Sequence, residues 1–323
     1  MTVELQADDS ASGRAAPIED RKLRILCLHG YLQNAEVFRS RIGSLRKALK
    51  SRAEFVFLDA PYLAEPGSDA AVAESGGERG SPGRSWWQWS DLDPGTRPSR
   101  AAQYRGWEAS RAAIQAALVQ HAPVDGLLGF SQGATAAALF LAGASLPEEP
   151  ARGEQQQSQQ TEQQPQQAQQ TEQHAQQQHQ QEQPAVYDAA AVAAALAHLR
   201  FAVIIAGFMP RDASYAAALQ SGAPSLPSLH VVGQKDALVP EERSAALWGC
   251  FAAGGVHIYR HPGAHMVPTC SGEFKQELQS LLDDAKAGRL AHKQQQARRQ
   301  CVDGTLAAAA DEAAEAVAAL AVG

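Results

Sequence analysis

Three residue types that together make an activated nucleophile stand far apart in the chain, in the order Ser, Asp, His. They are Ser131 in Gly129-Phe130-Ser131-Gln132-Gly133, Asp236 in Gly233-Gln234-Lys235-Asp236, and His265 in His261-Pro262-Gly263-Ala264-His265. A serine hydroxyl attacks a carbonyl only when a neighbouring imidazole takes its proton, and a carboxylate on the other ring nitrogen holds the required tautomer. The chemistry of such a set is acyl transfer through an acyl-serine, with backbone N–H donors holding the oxyanion. Glycines on both sides of Ser131 permit a sharp strand-to-helix turn, and the helix N-terminus that follows favours negative charge.

Each member also has a plainer reading. Asp236 precedes a helical segment from Pro240 to Phe251, where it can serve as an N-cap. His261 is the rival base, but it sits at a strand end, whereas Pro262-Gly263 carries His265 further out. His230 and His257 fall within strand-like runs and read as packing or solvent-facing residues. Asp125 lies on the strand leading to Ser131 and Asp212 follows Pro210, so both compete poorly as the orienting acid.

Short apolar runs predict the strands that must position these groups: Leu23 to Leu28, Phe55 to Leu58, Val124 to Gly129, Phe201 to Ala206, Leu229 to Val232 and Val256 to Arg260. Near-continuous apolar runs separated by Ala-rich helical stretches predict a doubly wound, mostly parallel sheet with helices on both faces, an α/β fold. Ser131, Asp236 and His265 would then lie on loops at the carboxyl ends of strands, where open α/β sheets place their sites. A closing amphipathic helix is expected over Glu273 to Ala287.

Residues 154–183 are almost entirely Gln with Thr, Glu and His, too poor in apolar groups to offset the entropy of ordering. We read them as a disordered insertion within one domain made of 21–153 and 184–288, flanked by a disordered lead-in (1–20) and an Ala/Gln-rich tail (289–323). The alternative is a partner-binding tract. Its His174 and His179 are too few for a metal tract, so no metal and no cofactor are expected.

A net charge of −7 without an extended Lys/Arg cluster argues against nucleic-acid binding and a polybasic membrane anchor. No apolar stretch is long enough to predict stable membrane insertion. Cys27, Cys250, Cys270 and Cys301 are scattered, which fits free thiols in a reducing compartment. The first twenty residues lack the apolar core of a secretory signal, so the expected location is the cytoplasm, with the nucleus as an alternative. Nothing in the sequence sets the oligomeric state.

Five blocks together resemble the eukaryotic family of serine hydrolases (FSH family) of the α/β-hydrolase superfamily, which includes fungal members and an ovarian-tumour-associated esterase of animals. They are Leu26 to Asn34, Leu58-Asp59-Ala60-Pro61, Gly129 to Gly133, Gly233 to Asp236, and His261 to Pro268. The resemblance spans about residues 23 to 285 and implies the α/β-hydrolase fold, a Ser131–Asp236–His265 triad and esterase or thioesterase activity. It also implies backbone oxyanion donors at Tyr31 and Gln132, with His29 and Gly30 shaping the loop; His29 as a second base is the minor alternative.

On the substrate side, Arg84-Ser85-Trp86-Trp87-Gln88-Trp89 lies in a long connection. Its indoles either line an acyl pocket or pin the loop to the sheet edge. Phe208, Met209 and Met266 are further candidates for the same apolar surface. With no basic clamp evident, a small ester with an apolar acyl chain is the expected substrate and a strongly anionic one is not. The competing reading from another class is a hydrolase-fold protein that binds a ligand without turning it over.

Overall fold

A computed structural model describes residues 21–64, 82–91, 100–146, 187–252 and 255–290. The Gln-rich insertion, the lead-in and nearly all of the tail lie outside the described residues.

Six strands form the central sheet: β1 (Leu23–Leu28), β2 (Ala53–Leu58), β7 (Gly126–Phe130), β8 (Phe201–Ile205), β9 (Ser228–Gly233) and β10 (Val256–His261). Four two-residue strands, β3 (Tyr62–Leu63), β4 (Arg84–Ser85), β5 (Gln88–Trp89) and β6 (Tyr104–Arg105), make two small antiparallel pairs beside it. The sheet order is β10-β9-β8-β7-β1-β2 and every pairing in it is parallel. Each of the six predicted strands is present: the first has the expected ends, and the others differ at one or both ends by one or two residues.

Side-chain alternation along the strands sends residues to two separate cores. In β1, Leu26 and Leu28 join one apolar cluster, while Leu23, Ile25 and Cys27 join the other. The first cluster is covered by α3 (Trp107–Gln120), α4 (Gln132–Leu141), α5 (Ala189–Leu196), α6 (Ala213–Gly222) and α7 (Glu241–Trp248); the second by α1 (Ala35–Arg41), α2 (Gly43–Ala48) and α8 (Gly272–Lys286). In α8 the buried residues Phe274, Leu278 and Leu282 recur every four positions, the stripe that docks an amphipathic helix on a sheet.

The chain leaves β1 for β2 on one side and returns on the other side of β1 as β7. The carboxyl ends of β1 and β7 therefore flank the point where the strand order reverses, the usual place for a ligand crevice in an open α/β sheet. At the opposite ends of the same two strands, the buried Asp125 carboxylate holds the Arg21 guanidinium at 2.6 and 2.8 Å and the Arg24 N–H at 2.8 Å. This bond raises the Arg21 pKa, and it fastens the two strands that carry the site.

Among the described residues no helix is long and apolar enough to cross a membrane. Cys27, Cys250 and Cys270 are free thiols, and Cys301 lies outside the described residues.

Candidate active site

Ser131 links β7 to α4 with φ 52° and ψ −118°, a backbone conformation that L-residues avoid. The surroundings hold it there. Its N–H donates to the Ile205 carbonyl at 2.8 Å, and its own carbonyl accepts from Ala134 and Thr135 in the first turn of α4. Packing explains the flanking glycines. A Cβ at Gly129 would lie 2.4 Å from the backbone of Ala134, and one at Gly133 would lie 2.3 Å from the carbonyl oxygens of Leu28 and His29. The motif thus lets the start of α4 press directly on β7 and on the end of β1.

From the far ends of β9 and β10, two loops bring the other members to this turn. His265 Nε2 lies 2.9 Å from Ser131 Oγ, and its Nδ1 lies 2.7 Å from Asp236 Oδ2. The Phe130 ring stands 5.0 Å from the imidazole, centroid to centroid. Asp236 is not the helix cap that its place before Pro240 suggested: its Oδ1 accepts from the N–H groups of Leu238 and Val239, which lie in the loop ahead of α7. One carboxylate oxygen shapes the loop while the other faces the imidazole. The α7 N-cap itself is Pro240.

The arrangement can pass a proton from hydroxyl to imidazole with a carboxylate behind it. Gln132 is the first residue of α4, where helix N–H groups have no intrahelical acceptor. Tyr31 lies in the turn after β1, its ring edge-on to Trp89 at 4.8 Å.

Residues 18–277 match the family model described as Serine hydrolase (FSH1). The chain belongs to this serine hydrolase family. Members similar to it are named as esterases. Esterase OVCA2 of Danio rerio is 31% identical over 268 residues, 80% of this chain and 96% of the relative. Esterase OVCA2 of Homo sapiens is 30% identical over 267 residues, 81% of this chain and 96% of the relative. Esterase CG5412 of Drosophila melanogaster is 29% identical over 275 residues, 85% of this chain and 78% of the relative.

In this FSH1-family chain, the turn after β1 is fixed by buried side chains. His29 Nε2 accepts from the Ala60 N–H at 3.0 Å, which leaves the proton on Nδ1 to donate to the Gly30 carbonyl at 2.8 Å. Burial pushes its pKa down to about 4, against smaller opposing contributions from the Gly30 bond and Asp59. With both ring nitrogens engaged inside the fold, His29 is not available as a second base. The rival His261 is also buried, its Nδ1 accepting from the Gly263 N–H at 3.2 Å. His230 is a core residue against Phe251, and His257 pairs with Glu277. Asp212 caps α6.

The indole segment does not form the acyl pocket expected of it. Trp86 and Trp87 are 0% and 1% exposed, so they do not line an accessible acyl pocket; they are core residues that pin the loop. Trp86 Nε1–H donates to the His29 carbonyl at 2.8 Å, and its backbone N–H donates to Gln132 Oε1 at 3.0 Å. Gln132 Nε2 donates to Ser85 Oγ at 3.0 Å. Trp87 instead stacks on Tyr104 at 5.4 Å. This second layer, in which the Gln132 side chain joins the nucleophile turn to the Trp86 loop, carries no sequence motif, because its bonds run between segments 46 to 57 residues apart. Phe208, three residues beyond β8, is half-buried, and Met266, next to His265 in the chain, is 47% exposed.

Proposed function

We propose that the protein hydrolyses carboxylic esters through an acyl-enzyme formed on Ser131. His265 takes the hydroxyl proton as Ser131 Oγ bonds to the ester carbonyl carbon, and Asp236 stabilises the resulting imidazolium. The backbone N–H groups of Tyr31 and Gln132 receive the oxyanion. Collapse of the tetrahedral species breaks the bond to the alcohol oxygen, which leaves with the proton from His265. Water then attacks the acyl-serine, His265 takes its proton and returns it to Ser131 Oγ, and the acid departs.

The observation that carries this reading is the continuous Ser131–His265–Asp236 chain of 2.9 and 2.7 Å contacts at the strand-order reversal. Membership of a serine hydrolase family supports it. Labelling by a fluorophosphonate probe, compared between the native chain and Ser131→Ala, is the test. We expect labelling and ester turnover to disappear together in the variant; equal labelling of both proteins removes Ser131 from the mechanism. A parallel panel of oxygen esters and thioesters determines which acyl bond is preferred.

A further inference from the structure

The end of β8 runs past the nucleophile. Ile205 accepts the Ser131 N–H, and three residues on, Phe208 exchanges two hydrogen bonds with Thr135 Oγ1, one turn along the helix that starts at Ser131. Over the Phe208 ring, 4.6 Å from its centroid, lies the guanidinium of Arg243 from the first turn of α7. The guanidinium thus stacks on a ring of the segment that leaves β8 beside Ser131 and that is tied to the first turn of α4.

Arg243 is half-buried, and among the described residues it has no carboxylate partner. Its Nη2 donates to the Met209 carbonyl at 3.1 Å. The acids around it are engaged elsewhere. Asp212 accepts from the N–H groups of Tyr104, Ser214 and Tyr215, and Glu241 pairs with Arg260 at 2.6 Å. Glu242 is exposed. Burial lowers the Arg243 pKa, and the charge of Arg211 lowers it further. A part-desolvated guanidinium with carbonyl and ring contacts alone still has N–H donors and an uncompensated charge to offer an anion.

We infer that Arg243, on the Phe208 side of the Ser131 site, recognises an anionic group, and that the ester cleaved here carries a carboxylate or an equivalent anion. The inference rests on the proposed esterase reading and reverses the expectation that anionic substrates are disfavoured. A carboxylate on either the acyl or the alcohol portion has the same chemistry, and the experiment separates them.

The test compares p-nitrophenyl monoadipate, charged on the acyl side, with its methyl ester, and 4-carboxyphenyl hexanoate, charged on the alcohol side, with its methyl ester. We expect one pair to show a kcat/KM ratio, charged over neutral, of about ten or more, declining as salt rises. Arg243→Gln should lower that ratio about tenfold, while Arg243→Lys keeps part of it. Ratios near one in both pairs, or a ratio unchanged in Arg243→Gln, overturn the inference. A second readout needs no turnover: calorimetric binding of monomethyl adipate and of 4-hydroxybenzoate to Ser131→Ala, lost on adding Arg243→Gln. If Ser131→Ala still hydrolyses the esters, the nucleophile assignment fails, and the binding measurement decides the anion site separately: no binding overturns it.

Discussion

At Ser131 the demands of chemistry and of stability point in opposite directions, which makes a comparison of two inactive variants informative. The residue holds φ 52° and ψ −118°, far from the left-handed helical well near ψ 47° and accessible without strain only to glycine. A backbone forced into such a region costs about 1 to 3 kcal/mol. Ser131→Ala and Ser131→Gly both delete the hydroxyl and its 2.9 Å contact with His265, so that loss cancels between them. Alanine retains the strain, and glycine releases it. Against the release stands the greater freedom of glycine in the unfolded chain, roughly 0.5 to 1 kcal/mol. Ser131→Gly should therefore be more stable than Ser131→Ala by about 1 kcal/mol, the reverse of the ranking at an ordinary helix or strand position. Urea unfolding of the two variants measures it, as a higher midpoint at equal m-value or a Tm higher by about 2 to 4 °C. If Ser131→Ala proves equally or more stable, the strain at this turn is not stored in the backbone conformation and the reasoning fails.

Other perturbations separate fold from site. Trp86→Phe deletes the 2.8 Å indole bond to the His29 carbonyl, and we expect kcat to fall more than tenfold with little change in KM, because the turn bearing Tyr31 loses its anchor; a rise in KM alone refutes that assignment. Asp125→Ala removes the buried acceptor of the Arg21 guanidinium and the Arg24 N–H, while Arg21 itself can turn to water, and should lower unfolding free energy by about 1.5 to 3 kcal/mol, read by denaturant titration. His29 and His230 are held neutral by burial, with pKa values lowered from 6.5 to about 4 and about 3. Between pH 6.5 and 4 the unfolded chain binds more protons than the folded one at these sites, so stability is present above pH 6.5 and is lost as pH falls through that window. In a series of melts across it, His230→Gln should show a shallower decline than the native chain; an identical slope excludes His230 as a contributor.

The sheet was legible because its strands are short, apolar on both faces and separated by Ala-rich helices, so period and composition agree. The Ser131–His265–Asp236 arrangement was legible for a related reason: parallel strands deliver all their carboxyl ends to one edge, and a residue a few positions beyond a strand end is already near the site. Trp86 and Trp87 were not legible. A run of indoles in a connection has the same composition whether it faces solvent or the core, and only the bonds from Trp86 to His29 and Gln132 decide between them. Arg243 shows the same limit from the other side. In a sequence a basic clamp shows as clustered cations, yet what distinguishes Arg243 is its position over Phe208 and the engagement of nearby acids with other groups. Whether a charge is compensated depends on which partners reach it in space. Counting Lys and Arg along the sequence therefore bears on long-range fields and on association with polyanions, and it says little about recognition of a single anionic group at a rim of a few residues.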